Sequence, residues 1–220
     1  MIRWDLIYHE LPNFGAGALY TIVISLGAVA IGIVLGLINA MLRLSRRRWL
    51  YYPATVYLEA FRNTPMLVQI FFLYYGVFPK LDLSHVDAIF VGILALGLNS
   101  GAYLGEIFRG GIQSIDKGQR EAALSLGMSE YQSMRYIVLP QALTNALPAL
   151  GNEFVTLIKD SSLLSVISVM ELTYRAQLVG GRKFEYFTMY VGIGCMYFII
   201  CFTLSRYLAI LEKKMRTGLK

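Results

Sequence analysis

Glu153 and Asp160 stand seven residues apart in a largely apolar stretch, Tyr136 to Ile167, whose one other charge is Lys159. Seven residues are nearly two helical turns, so both carboxylates project from one face of a regular helix. An ionisable group at the centre of a membrane helix costs about 2.5–3.5 kcal/mol to insert, so it faces a cavity or a partner. Two carboxylates on one face suit a ligand that carries positive charge. Asp160, beside Ser161 and Ser162, fits a helix-end cap equally well. Glu153 has no such context and points more firmly to a cavity. Lys159 projects elsewhere, where it snorkels or pairs with a neighbour.

Other polar residues sit in similar surroundings. Glu59 and Arg62 are three apart and share a helical face, which fits a mutual ion pair as well as a direct role. Pro65 follows. It removes one N–H donor and frees carbonyls upstream, and broken helices near the midplane of transporters supply backbone groups to substrates. Thr64, Met66, Leu67 and Gln69 are therefore candidate pocket or gate residues. Asn99 and Ser100 offer amide and hydroxyl donors for a carboxylate.

Several chemistries lack their residues. His9 and His85 are isolated and belong in wet external loops, so no metal site is expected. Lys159, Ser161 and Ser162 are too close in sequence for a convincing nucleophile–base dyad. No Gly-x-x-x-x-Gly-Lys-[Ser/Thr] run occurs, so ATP is not bound by a loop of that kind here. No TVGYG-type filter occurs either. Cys195 and Cys201 are six residues apart on a helical pattern, about 9 Å, beyond disulfide reach, and read as packing residues.

The elements that must position these groups are membrane helices. Of 220 residues, 56% are hydrophobic and only 15% charged, an excess over ordinary soluble domains. Five apolar stretches follow one another: Gly15 to Leu42, Tyr51 to Phe78, Ala88 to Ile107, Tyr136 to Ile167 and Phe187 to Leu211. The first is long enough for a bilayer core and ends in "RLSRRRW" without a cleavage site, so it is retained. With the N-terminus outside, thirteen basic residues fall inside and five outside. The inward set comprises Arg43, Arg46, Arg47 and Arg48, then Arg109, Lys117, Arg120 and Arg135, and a C-terminal group from Arg206 to Lys220. That bias fixes orientation by the positive-inside rule and explains the net charge of +6 without nucleic acid. The Gly32-x-x-x-Gly36 spacing permits close helix packing, in the core or at a dimer contact. The chain reads as one domain over residues 1–220.

Between the third and fourth stretches lies "EAALSLGMSEYQSMRYIVLP", Glu121 to Pro140. Glu121, Ala122, Ala123 and Leu124 form a short helix, Gly127 ends it, and Ser129 starts a second. Gly127 supplies the positive φ of a helix-terminating turn, and Pro140 is tolerated near the start of the next span. A polar-faced helix on the inner side of a membrane needs a soluble partner for its apolar face. Lying on the bilayer surface is the plainer alternative.

Glu-Ala-Ala, Gly127 four residues on, and "IVLPQA" from Ile137 resemble the EAA loop of ABC importer permeases. "FRNTPMLVQIFF", "NSGAYLGEIFRGGIQSIDKGQREAA" and "LIKDSSLLSVISVMELTYRAQ" resemble its polar amino-acid uptake branch. Gly101 departs from that branch, where a different small residue is common. The resemblance implies an all-α membrane protein with five transmembrane helices, a type I ABC importer-like permease fold and a cytoplasmic coupling loop at about 110–139. It implies that Glu121, Ala122, Ala123, Leu126 and Gly127 couple to an ATPase. The candidate pathway set of Glu153, Asp160, Asn99, Ser100, Met66, Leu67 and Gln69 converges only within that fold.

The implied partners are two ABC ATPase subunits, which carry ATP and Mg, and a second permease chain, identical or a sibling. A periplasmic or lipid-anchored amino-acid-binding protein and membrane lipids complete the set. The implied location is the bacterial inner membrane, with the C-terminus cytoplasmic. The carboxylates favour basic or neutral polar substrates, such as arginine, lysine, histidine or glutamine. An acidic-amino-acid permease of the same architecture is the alternative, and a membrane-embedded enzyme or assembly factor is the competing class.

Overall fold

The computed structural model describes residues 2–217, and among these the chain is helical without strands. Helix α1 spans Trp4–Leu44, α2 Arg48–Arg62, and α3 Met66–Lys80. Helix α4 spans Ala88–Gln113, α5 Lys117–Ser125, α6 Glu130–Ser133 and α7 Leu139–Asp160. A 3₁₀ segment, Ser161–Ile167, leads to α8 at Leu172–Lys183 and α9 at Tyr186–Thr217. Lys220, one of the basic residues assigned to the inner side, lies outside the described residues.

Among the described residues three helices are by themselves long and apolar enough to cross a membrane: α1, α4 and α9. The second and fourth apolar stretches are built otherwise. The second is two helices, because α2 stops at Arg62 and Pro65 caps α3 from an extended conformation. The fourth is α7 followed directly by the 3₁₀ segment.

Helix α1 also departs from expectation. It begins at Trp4, well before the uncharged run at Gly15, and passes through Pro12. Its opening turns are not free: Leu6 and Phe14 are buried with Leu172, Ala176, Val179, Met189 and Ile193 of α8 and α9. Apolar burial there outweighs the helix bond that Pro12 forgoes. His9 thus lies on a helix, exposed, and not in a loop, whereas His85 does occupy an exposed turn.

The centre of the bundle is the contact of α1 with α4, and small residues on both helices make it close. A Cβ on Gly36 would meet Leu104 Cβ at 2.8 Å and Gly105 N at 2.9 Å. One on Gly97 would meet Ile31 at 2.8 Å, and one on Gly105 would meet Asn39 Oδ1 at 2.9 Å. Gly32-x-x-x-Gly36 is therefore spent on packing within the chain, matched by Gly97, Gly101 and Gly105 on α4. Beside it, Ile24 and Ala28 of α1, Ile70 of α3, Ala95 and Leu96 of α4, and Leu157 of α7 form one buried cluster with Leu164 and Ile167.

Candidate functional site

The loop between α4 and α7 is constructed residue by residue as its sequence dictates. Asp116 caps α5 by accepting from Gly118 N at 2.6 Å. Gly127 closes it at φ 81°. Met128 N donates to Ala123 O at 3.1 Å and Gly127 N donates to Leu124 O at 3.0 Å, the paired bonds of a Schellman turn. Ser129 and Gln132 then form a capping box that opens α6. Arg120 grips Glu130 through Nε at 2.9 Å and Nη2 at 2.7 Å, tying α5 to α6 across the turn.

Ala123 is the one buried residue of α5, and it seats the helix on its own chain. Glu121 and Ala122 are exposed, and Leu126 stands 85% exposed. Leu126 thus holds an apolar side chain in solvent at the end of a helix capped on both sides. Helix α6 continues through a π-helical turn, Met134–Val138, into α7, where Pro140 lies in the first turn.

At the far end of α7 the two carboxylates are half-buried and share a face, with Asp160 within electrostatic reach of Glu153. Neither forms an ion pair with a basic residue among the described residues. Asp160 does not cap the helix: its side chain bonds no backbone N–H there, and the chain runs on helically into the 3₁₀ segment. The neighbouring hydroxyls turn back instead, Ser161 Oγ donating to Ile158 O at 2.8 Å and Ser162 Oγ to Lys159 O at 2.6 Å. Lys159 is exposed and lies toward Cys201 of α9. Ser100 of α4 is buried, with its hydroxyl within interacting reach of the Glu153 carboxylate.

Asn99 and Gln69 belong to a second, adjoining group. Gln69 Nε2 donates to Phe61 O at 2.9 Å and to Thr64 O at 3.1 Å, the carbonyls left open by the break before Pro65. Asn99 Nδ2 donates to Gln69 Oε1 at 2.9 Å and to Phe61 O at 3.3 Å. These amides hold the break together. Met66 packs on the central apolar cluster, and Leu67 is half-buried. An apolar slot of about 320 Å³ lies at the break, lined by Phe61, Thr64, Val68, Gln69 and Phe72 among others. The ion pair expected of Glu59 and Arg62 is absent: Glu59 accepts from Asn63 Nδ2 at 2.6 Å, and Arg62 lies over the Tyr103 ring. Asn63, in the frayed turn before Pro65, is nearer to the carboxylate than the long guanidinium.

Sequence reasoning passed over two polar clusters. Glu171, fully buried, caps α8 by accepting from Tyr174 N at 2.7 Å and Thr173 N at 2.9 Å, and from Tyr197 Oη of α9 at 2.9 Å. Glu106 of α4 is bound by both Arg43 of α1 and Arg109. The only signal for Glu171 was an acidic residue just before a helical pattern, and for Glu106 the three-residue spacing to Arg109. Cys195 is exposed and Cys201 half-exposed, so the packing role expected of them is not met within this chain.

A bundle of apolar helices, one broken at mid-course, with an exposed helix on a built turn at one end, is the type I ABC importer permease fold. The model of the family described as "binding-protein-dependent transport system inner membrane component" matches residues 28–217, and the chain belongs to that family. It is similar to the probable amino-acid ABC transporter permease YckA of Bacillus subtilis, 41% identical over 97% of this chain and 96% of the relative. The glutamine permease GlnP of Escherichia coli is 37% identical over 97% of each. A solved structure described as an amino acid ABC transporter with histidines superposes with TM-score 0.91 at 37% identity, covering 97% of this chain and 99% of that one. The MetNI methionine transporter, at 16% identity and TM-score 0.80, shares the fold. The chain is thus an amino-acid ABC transporter permease subunit, a multi-pass membrane protein and not an enzyme, with ATP hydrolysis left to a separate subunit.

Proposed function

We propose that this permease carries basic or neutral polar amino acids inward, and that Glu153 and Asp160 of α7 bind the substrate's positive charge. The observation that carries the reading is the state of these carboxylates. They share a half-buried face with no basic side chain paired to them, and Asp160 is not spent as a cap. A cationic ligand relieves the cost of burying them, whereas an acidic one adds like charge. The histidines in the description of a relative of near-identical fold support the same choice, and glutamine and cystine permeases among the relatives fit its neutral side. Ser100, buried beside Glu153, is a donor for a substrate oxygen.

In this reading residues 1–220 act as one permease unit. Two such chains, identical or siblings, enclose the path. Glu121 to Gly127 dock on the two ATPase subunits, which bind ATP and Mg. A periplasmic or lipid-anchored binding protein delivers substrate. The membrane is the bacterial inner membrane, with the N-terminus outside and the C-terminus cytoplasmic, as the basic residues around Arg46 to Arg48 favour.

Transport by Glu153→Gln tests the substrate assignment. A charge-assisted contact is worth about 1.5–3 kcal/mol, roughly tenfold to a hundredfold in affinity. With Glu153 on the cationic side chain and Asp160 on the α-ammonium group, uptake of arginine or histidine should fall by that order while glutamine uptake changes little. Equal losses for both substrates, or efficient glutamate uptake by the unaltered protein, refute it.

A further inference from the structure

Two adjoining cavities at the α5 end of the bundle share three lining residues and differ in chemistry. The inner part, about 430 Å³, lies between α1, α4 and the start of α7 and is lined by Leu37, Met41, Phe108, Leu139 and Leu143. Leu44, Ile112 and Met134 line it and also the outer part, about 560 Å³, which adds Arg46, Asp116, Lys117 and Arg120. The polar residues of the outer part are unequally engaged. Arg120 is held by Glu130, and Asp116 caps α5. Arg46 and Lys117 form no ion pair among the described residues, so with the Asp116 carboxylate counted against them the vestibule keeps a net positive charge of one. Trp49, 68% exposed beside Arg46 to Arg48, marks the level of a membrane–water interface.

An apolar slot that opens sideways beneath a positive vestibule, at interface depth, has the shape and charge of one ligand class. We propose that this groove binds an anionic phospholipid, one acyl chain in the slot between α1, α4 and α7 and its phosphate between Arg46 and Lys117. The site spans two parts of the machine. Its inner walls belong to the membrane bundle, while Lys117 opens α5 and Met134 lies in the π-helical turn behind α6. A bound lipid therefore braces the loop against the bundle, and coupling acquires a dependence on anionic lipid. The inference rests on the proposed coupling role of α5 but not on any substrate assignment.

The test uses the permease assembled with its ATPase subunits in nanodiscs of phosphatidylcholine with or without phosphatidylglycerol. Native mass spectrometry counts retained phosphatidylglycerol, and substrate-stimulated ATP hydrolysis is read in parallel. A basic residue near an anionic membrane contributes about fivefold in binding, so Arg46→Gln with Lys117→Gln should lower retention about twenty-fivefold. Leu143→Trp and Met41→Trp, which fill the slot from its exposed rim, should lower retention with every charge in place, and in all variants the stimulation of hydrolysis by phosphatidylglycerol should shrink. Retention that falls with the charge variants but survives both tryptophans would assign the effect to diffuse attraction and overturn the site. Displacement by excess inorganic phosphate would assign the vestibule to a free anion. Loss of the ATPase subunits from the double charge variant in either lipid would assign it to the subunit interface. Each of these outcomes overturns the proposal, and none bears on Glu153.

Discussion

Substitution of Gly127 isolates backbone conformation from every other property of the coupling loop. Its φ of 81° lies in the left-handed region, and a Cβ built there meets nothing within 4 Å. Steric crowding inside the chain is thereby excluded, and the penalty for a larger residue is that of the backbone alone. For an L-residue it is about 1–2 kcal/mol. Part of this is offset because alanine restricts the unfolded chain more than glycine does, by about 0.4–1 kcal/mol. The net cost for Gly127→Ala is then about 1 kcal/mol, or roughly fivefold in the population of the intact turn. Gly127→Val, β-branched, should exceed about tenfold. Gly127→Asn should stay near the parent, since asparagine adopts this conformation readily. What the strain releases is the pair of bonds to Ala123 O and Leu124 O, and with them the angle between α5 and α6. The assay is substrate-stimulated ATP hydrolysis in proteoliposomes, normalised to permease inserted. The order glycine, asparagine, alanine, valine is expected. An asparagine variant as impaired as the valine one would mean that side-chain bulk meets a partner. A valine variant that couples normally would mean that the turn is not needed.

Three further outcomes are expected. Gly36→Ala places a Cβ 2.8 Å from Leu104 Cβ and should destabilise the α1–α4 contact by about 1–3 kcal/mol in thermal unfolding in detergent, while Gly15→Ala, within α1 and with nothing within 4 Å, should stabilise by up to about 1 kcal/mol. Glu171→Gln turns an amide N–H₂ toward donors that the carboxylate accepts, and should cost about 1–3 kcal/mol, with Glu171→Ala at least as damaging; unchanged melting of both would remove Glu171 as the tie between α8 and α9. With Cys195 and Cys201 replaced by serine, cysteines at positions 47, 119 and 214 should label only from the cytoplasm, and ones at 84 and 183 only from outside. Labelling of position 119 from outside would refute the orientation.

The turn in the α4–α7 loop was legible because its determinants are local. Gly127 and Ser129 act on backbone within a few residues of themselves, so spacing along the chain is spacing in the structure, whereas the caps of Asp116 and Gln132 were passed over. The break before Pro65 was legible for the same reason, since a missing N–H is a property of one residue. What spacing could not supply was the partner across helices. Gln69 and Asn99 look like free pocket amides until α4 is laid beside the break and both turn to Phe61 O. Gly97, Gly101 and Gly105 carry a four-residue period as plain as that of Gly32 and Gly36, but only the packing of α1 shows the two sets facing one another. The same limit acts on Glu153 and Asp160 in the opposite direction. Their shared face followed from periodicity, whereas the absence of a basic partner depends on every helix packed around α7. A pair of carboxylates satisfied within the chain would describe a structural tie, as Glu106 does between Arg43 and Arg109. Among the described residues Glu106 has two guanidiniums and Glu153 has none, and the proposed cation role of Glu153 rests on that contrast.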